Sequence, residues 1–125
     1  MNIDKVIFLD NQSTTRLDDE VFVKMSPFFK ENYGNPHSIN HVFGRNAQTA
    51  IEVAREEIAN YLKANHQDIY FTSGATESNN LAIKGLADFY GDKKNHVITC
   101  VTEHKCVLES CRFLSEKKNF EITSL

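Results

Sequence analysis

The sequence holds only two prolines and five glycines in 125 residues, too few for a disordered linker or a fibrous repeat. Cysteine is scarce and odd in number: Cys100, Cys106 and Cys111. With no secretory signal, that count fits a reducing cytoplasm better than a disulfide framework. The opening Met1-Asn2-Ile3-Asp4-Lys5 has an early acid and no apolar stretch of the signal-peptide kind. No apolar run approaches the length that crosses a bilayer. No stretch is basic enough to suggest nucleic acid or an anionic membrane as partner. The net charge is −3, with both signs interspersed. What is left is an ordinary globular composition, 41% hydrophobic and 25% charged, in a chain long enough to bury a core.

Apolar periodicity divides the chain into strands and helices. Val6-Ile7-Phe8-Leu9 is a short apolar run of the buried-strand type. Asp18 stands where it can cap a helix bearing Val21, Met25 and Phe28 at helical spacing, ending near Pro27 or shortly after Phe29. Tyr33–Gly44 has turn residues throughout and predicts a long irregular loop. Asn46–Lys63 is the clearest helix, with Ala47, Ala50, Ile51, Ala54, Ile58 and Leu62 on one stripe. Then follow a strand at Ile69–Thr72, a helix at Glu77–Tyr90 stopped by Gly91, and a strand at Val97–Cys100. A helix at Lys105–Lys117 and a strand at Phe120–Thr123 complete the order. Strand-helix alternation of this kind favours an α/β fold with parallel strands and crossover helices. Nothing in the composition marks a domain boundary.

The junction Ser73-Gly74-Ala75-Thr76-Glu77-Ser78-Asn79-Asn80 is the most informative local feature. Gly74 permits a tight turn, and the small Ala75 lets a ligand approach the main chain. Thr76 suits an N-cap, or its hydroxyl can meet a phosphate oxygen. The first-turn N–H groups have no helical acceptor and carry the positive end of the helix dipole, which together accept an anion. On spacing alone, turning and capping explain this stretch better than an anion does, and Glu77 already answers the dipole.

His104 follows a strand and starts a helix. Ligands of parallel α/β sheets sit outside the carboxyl ends of strands, so His104 and Thr76 are expected at one sheet edge. Imidazole there can stack on an aromatic ligand or move a proton, although an ordinary polar residue near a helix start explains the position as well. The spacing of Cys100, His104, Cys106 and Cys111 matches no common zinc pattern, so no metal is expected. A Cys106–His104 nucleophile pair lacks an identifiable third, orienting group.

Four separated motifs resemble those of one family. Ile7-Phe8-Leu9-Asp10-Asn11-Gln12-Ser13-Thr14-Thr15 is similar to its opening strand and loop, with Ser13 where alanine is usual and Arg16 where proline is usual. Gly34-Asn35-Pro36-His37-Ser38 with His41 and Gly44 resembles its second loop, Asn40 and Val42 departing from the commonest wording. Phe71–Asn80 looks like its phosphate-binding segment, and Thr102-Glu103-His104-Lys105 like its fourth motif. The family is the cysteine desulfurases of the NifS/IscS branch, within the fold-type-I pyridoxal-phosphate (PLP) enzymes.

The resemblance implies the N-terminal part of that fold's large domain, an incomplete α/β/α sandwich. Residues 1–45 would form an arm and loop, and 46–125 the start of the PLP-binding domain. It implies that Ala75 and Thr76 bind the cofactor phosphate and that His104 stacks on the ring and assists proton transfer. It implies L-cysteine as substrate, a homodimer, and an iron–sulfur scaffold protein as sulfur acceptor, with tRNA thiolation as a second outlet. The family's cofactor-bonding lysine and its persulfide-carrying cysteine are expected beyond Leu125, so these residues alone are expected to be inactive. A non-catalytic phosphate- or PLP-binding module is the alternative. The resemblance also implies a mixed sheet in which the strand at Ile69–Thr72 would lack its native neighbour within these residues.

Overall fold

The computed structural model describes residues 6–91 and 93–125. The chain packs as two units, the first ending at Ile69 and the second running from Tyr70 to Leu125.

In the first unit, helix α1 spans Asp19–Lys30. Asp18 caps it as expected, its carboxylate accepting from the Glu20 N–H at 2.8 Å. The helix carries Pro27 in its last turns and ends three residues later, because a late proline forfeits only one backbone bond. Helix α2 spans Val42–Leu62, starting four residues before the expected Asn46. The cap is His41, whose Nδ1 accepts the Gly44 N–H at 3.2 Å. The helix stops where Lys63 takes a left-handed conformation, φ 54°, and Ala64 N–H closes on the Ala59 carbonyl at 2.9 Å. A short 3-10 turn follows at His66–Asp68, and the Arg55 guanidinium donates to the Ile69 carbonyl.

Two expected strands are absent. Val6–Leu9 is coil, with Ile7 and Leu9 exposed at 82% and 85%. Ile69–Thr72 is also coil. A strand exists only as part of a ladder with a second strand, and neither segment joins a ladder among the described residues. Apolar content marked both as candidates without supplying a pairing strand.

The second unit builds the core. Helix α3 spans Ala75–Tyr90, strand β1 His96–Thr99, helix α4 Lys105–Lys118 and strand β2 Glu121–Ser124. The strands pair in parallel, His96 opposite Glu121 through Thr99 opposite Ser124, so α4 is a crossover helix as the alternation requires. Ala87, Leu114 and Phe120 form the buried cluster, with Ile83, Val97 and Ile122 packed against it. Helix α4 ends where Asn119 turns left-handed, φ 57°.

Helices α3 and α4 lie parallel. Asn79 meets Cys106, Asn80 meets Ser110, Lys84 lies over the Phe113 ring, and Asp88 pairs with Lys118. The contacts advance in the same direction along both helices, so their N-termini share one end. No helix among the described residues is long and apolar enough to cross a membrane.

Candidate functional site

The three residues singled out by sequence, Ala75, Thr76 and His104, all lie at that shared end of the second unit. Gly74, not Thr76, is the N-cap of α3 and offers no side-chain cap. Thr76 is therefore the second helical residue, and its hydroxyl has no partner among the described residues. Gly74 holds φ 157° and ψ −177°, a region that essentially only glycine occupies. The backbone N–H groups of Ala75 and Thr76 likewise find no acceptor among the described residues, while Ser78 N–H makes the first helical bond to the Gly74 carbonyl at 3.1 Å. Donors left open at a helix start, with no capping side chain to fill the space, fit a phosphate.

The turn before α3 is latched from both sides. The Thr72 and Ser78 hydroxyls are 2.6 Å apart. Glu77 Oε2 accepts from the Ser73 N–H at 2.7 Å and from the Ser73 hydroxyl at 2.6 Å. The acid thus folds back onto the turn and holds Ser73, the residue before the Gly74 cap. These bonds, the Ser73 hydroxyl first and its N–H second, hold the Glu77 carboxyl below its ordinary value of 4.5.

A group whose folded pKa is lowered contributes stability that is present above the ordinary value and is lost as the pH falls through the lowered one. Glu77→Gln should therefore lower the urea midpoint at neutral pH and converge with the parent chain in acid. A gap that persists unchanged in acid would show that ionisation of Glu77 is not what stabilises the turn.

His104 caps α4. Its Nδ1 accepts the Cys106 N–H at 3.2 Å and lies 3.0 Å from Cys106 Sγ. An Nδ1 that accepts carries no proton, so the neutral ring holds its proton on Nε2. The ring itself is exposed, which leaves it able to meet a ligand.

Asn79, Asn80 and Ser110 carry no role in the sequence reading, which names Cys106 only as one half of a pair with His104. Asn79 Nδ2 donates to Cys106 Sγ at 3.1 Å. Asn80 Nδ2 donates to the Thr76 carbonyl at 2.8 Å. Ser110, 1% exposed, shares its hydroxyl proton between the Cys106 carbonyl at 2.8 Å and Asn80 Oδ1 at 3.3 Å. Two consecutive asparagines inside a helix, where asparagine is disfavoured, were the available signal. Asn79 is also the third group near the Cys106–His104 pair, although it touches the sulfur and not the imidazole.

The other thiols lie outside this network. The Thr102 hydroxyl, 3.1 Å from Cys100 Sγ, and its backbone hold that thiol below its ordinary value. Burial pushes the Cys111 thiol up, partly offset by a hydrogen bond with Thr99. Among the described residues no three of His, Cys, Asp or Glu are grouped to hold a metal ion.

Comparison with known proteins places this geometry in context. The family model described as aminotransferase class-V matches residues 7–125. The cysteine desulfurase IscS of Ehrlichia chaffeensis is 56% identical over 119 residues, which make up 95% of this chain and 28% of that protein. A solved NifS-like protein superimposes with a TM-score of 0.85 at 41% identity, over 95% of this chain and 32% of its own. A structure titled SspA in complex with cysteine superimposes with a TM-score of 0.82 at 43% identity, over 96% of this chain and 34% of its own. The chain thus spans about a third or less of the length of each of these three proteins.

Proposed function

The chain belongs to the class-V aminotransferase family, and from that premise we propose that it supplies the phosphate-binding and ring-stacking part of a PLP-dependent cysteine desulfurase. The observation that carries this reading is the uncapped start of α3, with Thr76 and His104 at one end of a parallel helix pair. The desulfurase relative and the NifS-like fold support it. The named relatives lend no support to a non-catalytic module.

In the proposed reaction sulfur leaves L-cysteine, giving alanine and a persulfide on an enzyme thiol. PLP, when bound, supplies the electron sink for that chemistry. The residues of this chain bind and orient. The N–H groups of Ala75 and Thr76 and the Thr76 hydroxyl would hold the phosphate. His104 would stack on the ring and hold or move a proton at Nε2, since Nδ1 is occupied by Cys106. Residues 1–45 would serve as arm and loop and 46–125 as the start of the cofactor domain. A cytoplasmic homodimer handing sulfur to an iron–sulfur scaffold, or onward to tRNA thiolation, completes the proposal.

The test is phosphate preference. Pyridoxamine 5′-phosphate, which lacks the aldehyde that would react with surface lysines, should bind the chain more tightly than pyridoxamine. Thr76→Val, which keeps the shape and removes the hydroxyl, should weaken the phosphorylated compound by about 1.5–3 kcal/mol, as for a hydrogen bond to a charged group. Equal binding of the two compounds by the parent chain would sink the reading.

A further inference from the structure

Thr76 and His104 are joined by a run of hydrogen bonds that crosses from one helix to the other once, at Ser110 and Asn80. It runs from the Thr76 carbonyl through the Asn80 amide and the Ser110 hydroxyl to the Cys106 carbonyl, and the Cys106 N–H ends it at His104 Nδ1. A second strut, Asn79 to Cys106 Sγ, ties α3 to the same residue. Further along the pair the contacts change character. Ala87 and Leu114 belong to an apolar cluster, and Lys118 pairs with Asp88 at the surface. A hydrogen bond holds only over a narrow range of distance and angle, and the polar pair at the far end, Asp88 with Lys118, is solvent-exposed, whereas the one at this end is half-buried or better. The polar end of the helix pair is therefore the end whose register is fixed. Sliding would break the bond from the Ser110 hydroxyl to the half-buried Asn80 Oδ1, and the serine would keep only its bond to the Cys106 carbonyl of its own helix.

We propose that Asn80 and Ser110 are positioning residues that set the spacing between the first turn of α3 and His104, matching it to a rigid ligand with a phosphate at one end and a flat ring at the other. The inference rests on the reading of the site given above and adds to it the determinant of spacing. A ligand gripped at two points gains from both contacts only if the points are already the right distance apart. A ligand gripped at one point is indifferent to that distance. Loss of the link should therefore separate the two kinds of ligand, which a general loss of stability would not do.

Three probes make the test: pyridoxamine 5′-phosphate engages both points, inorganic phosphate only α3, and pyridoxamine only His104. Ser110→Ala is expected to weaken pyridoxamine 5′-phosphate on the order of tenfold while changing the one-point probes by less than about twofold, a coupling within the usual range for linked sites. Asn80→Ala breaks the same link from the half-buried side and should reproduce the pattern if the serine variant does not fold. Equal weakening of all three probes, or no weakening of any, in a folded variant would overturn the assignment. If the parent chain shows no preference for the phosphorylated compound, the site reading falls and this inference with it. If the preference stands and the variants match the parent, only the positioning role falls.

Discussion

Replacing Gly44 with alanine is expected to unfold the start of α2, at a cost of about 3 kcal/mol or more, the upper end of the range for overpacking. A Cβ on Gly44 would overlap the Ser38 carbonyl oxygen and stand 2.6 Å from its carbon and 2.8 Å from the Asn35 carbonyl oxygen. All three are backbone atoms, so no side chain can rotate away. The loop is fixed where it stands: Ser38 N–H bonds the Asn35 carbonyl at 3.0 Å, and Asn35 Oδ1 accepts from His37 N–H at 2.9 Å. The Gly44 N–H is itself bound to the His41 cap, so backing away would uncap the helix. Hydrogen exchange across α2, together with the urea midpoint, checks this. First-turn amides that keep their protection in the alanine variant would show that the loop, and not the helix, gives way.

Leu114→Ala should cost about 2–5 kcal/mol, the range for removing a buried leucine. Leu114 is 1% exposed and packs with Ala87 of α3 and with Phe120 just before β2, and Ile83, Val97 and Ile122 lie against the same cluster. Ala87 is too small to fill the space that a truncation would leave. Leu114→Met, which conserves volume, should cost less than about 1.5 kcal/mol. Urea unfolding of the two variants separates cavity from chemistry. Equal midpoints for alanine and methionine would mean that Leu114 is not the keystone of this core.

The helices were largely legible in the sequence. Asp18 stands at a capping position by its sequence and caps α1. The Asn46–Lys63 stripe marked α2, and only its first turn was missed, because a histidine cap on a glycine N–H is not among the common capping patterns. Helix α4 began at the expected Lys105, with His104 before it. The strands were less legible. Val97–Cys100 and Phe120–Thr123 became β1 and β2 shifted by one residue, whereas Val6–Leu9 and Ile69–Thr72 did not form strands. The expectation of one sheet edge for Thr76 and His104 therefore lost its first strand. What puts the two at one end is the parallel packing of α3 on α4.

The sequence by itself determined the family and the helices. Four motifs carried the first, and the second follows from bonds made four residues away, so that local composition suffices. Only the tertiary structure decided which apolar runs pair as strands, which residue caps α3, and what fixes Thr76 relative to His104. Strand pairing needs a second segment, and a cap depends on the backbone angles of Gly74. The network joins Asn79 to Cys106 across 27 residues and Asn80 to Ser110 across 30. At such separations a sequence names the donors and acceptors, and folding alone chooses which of them meet.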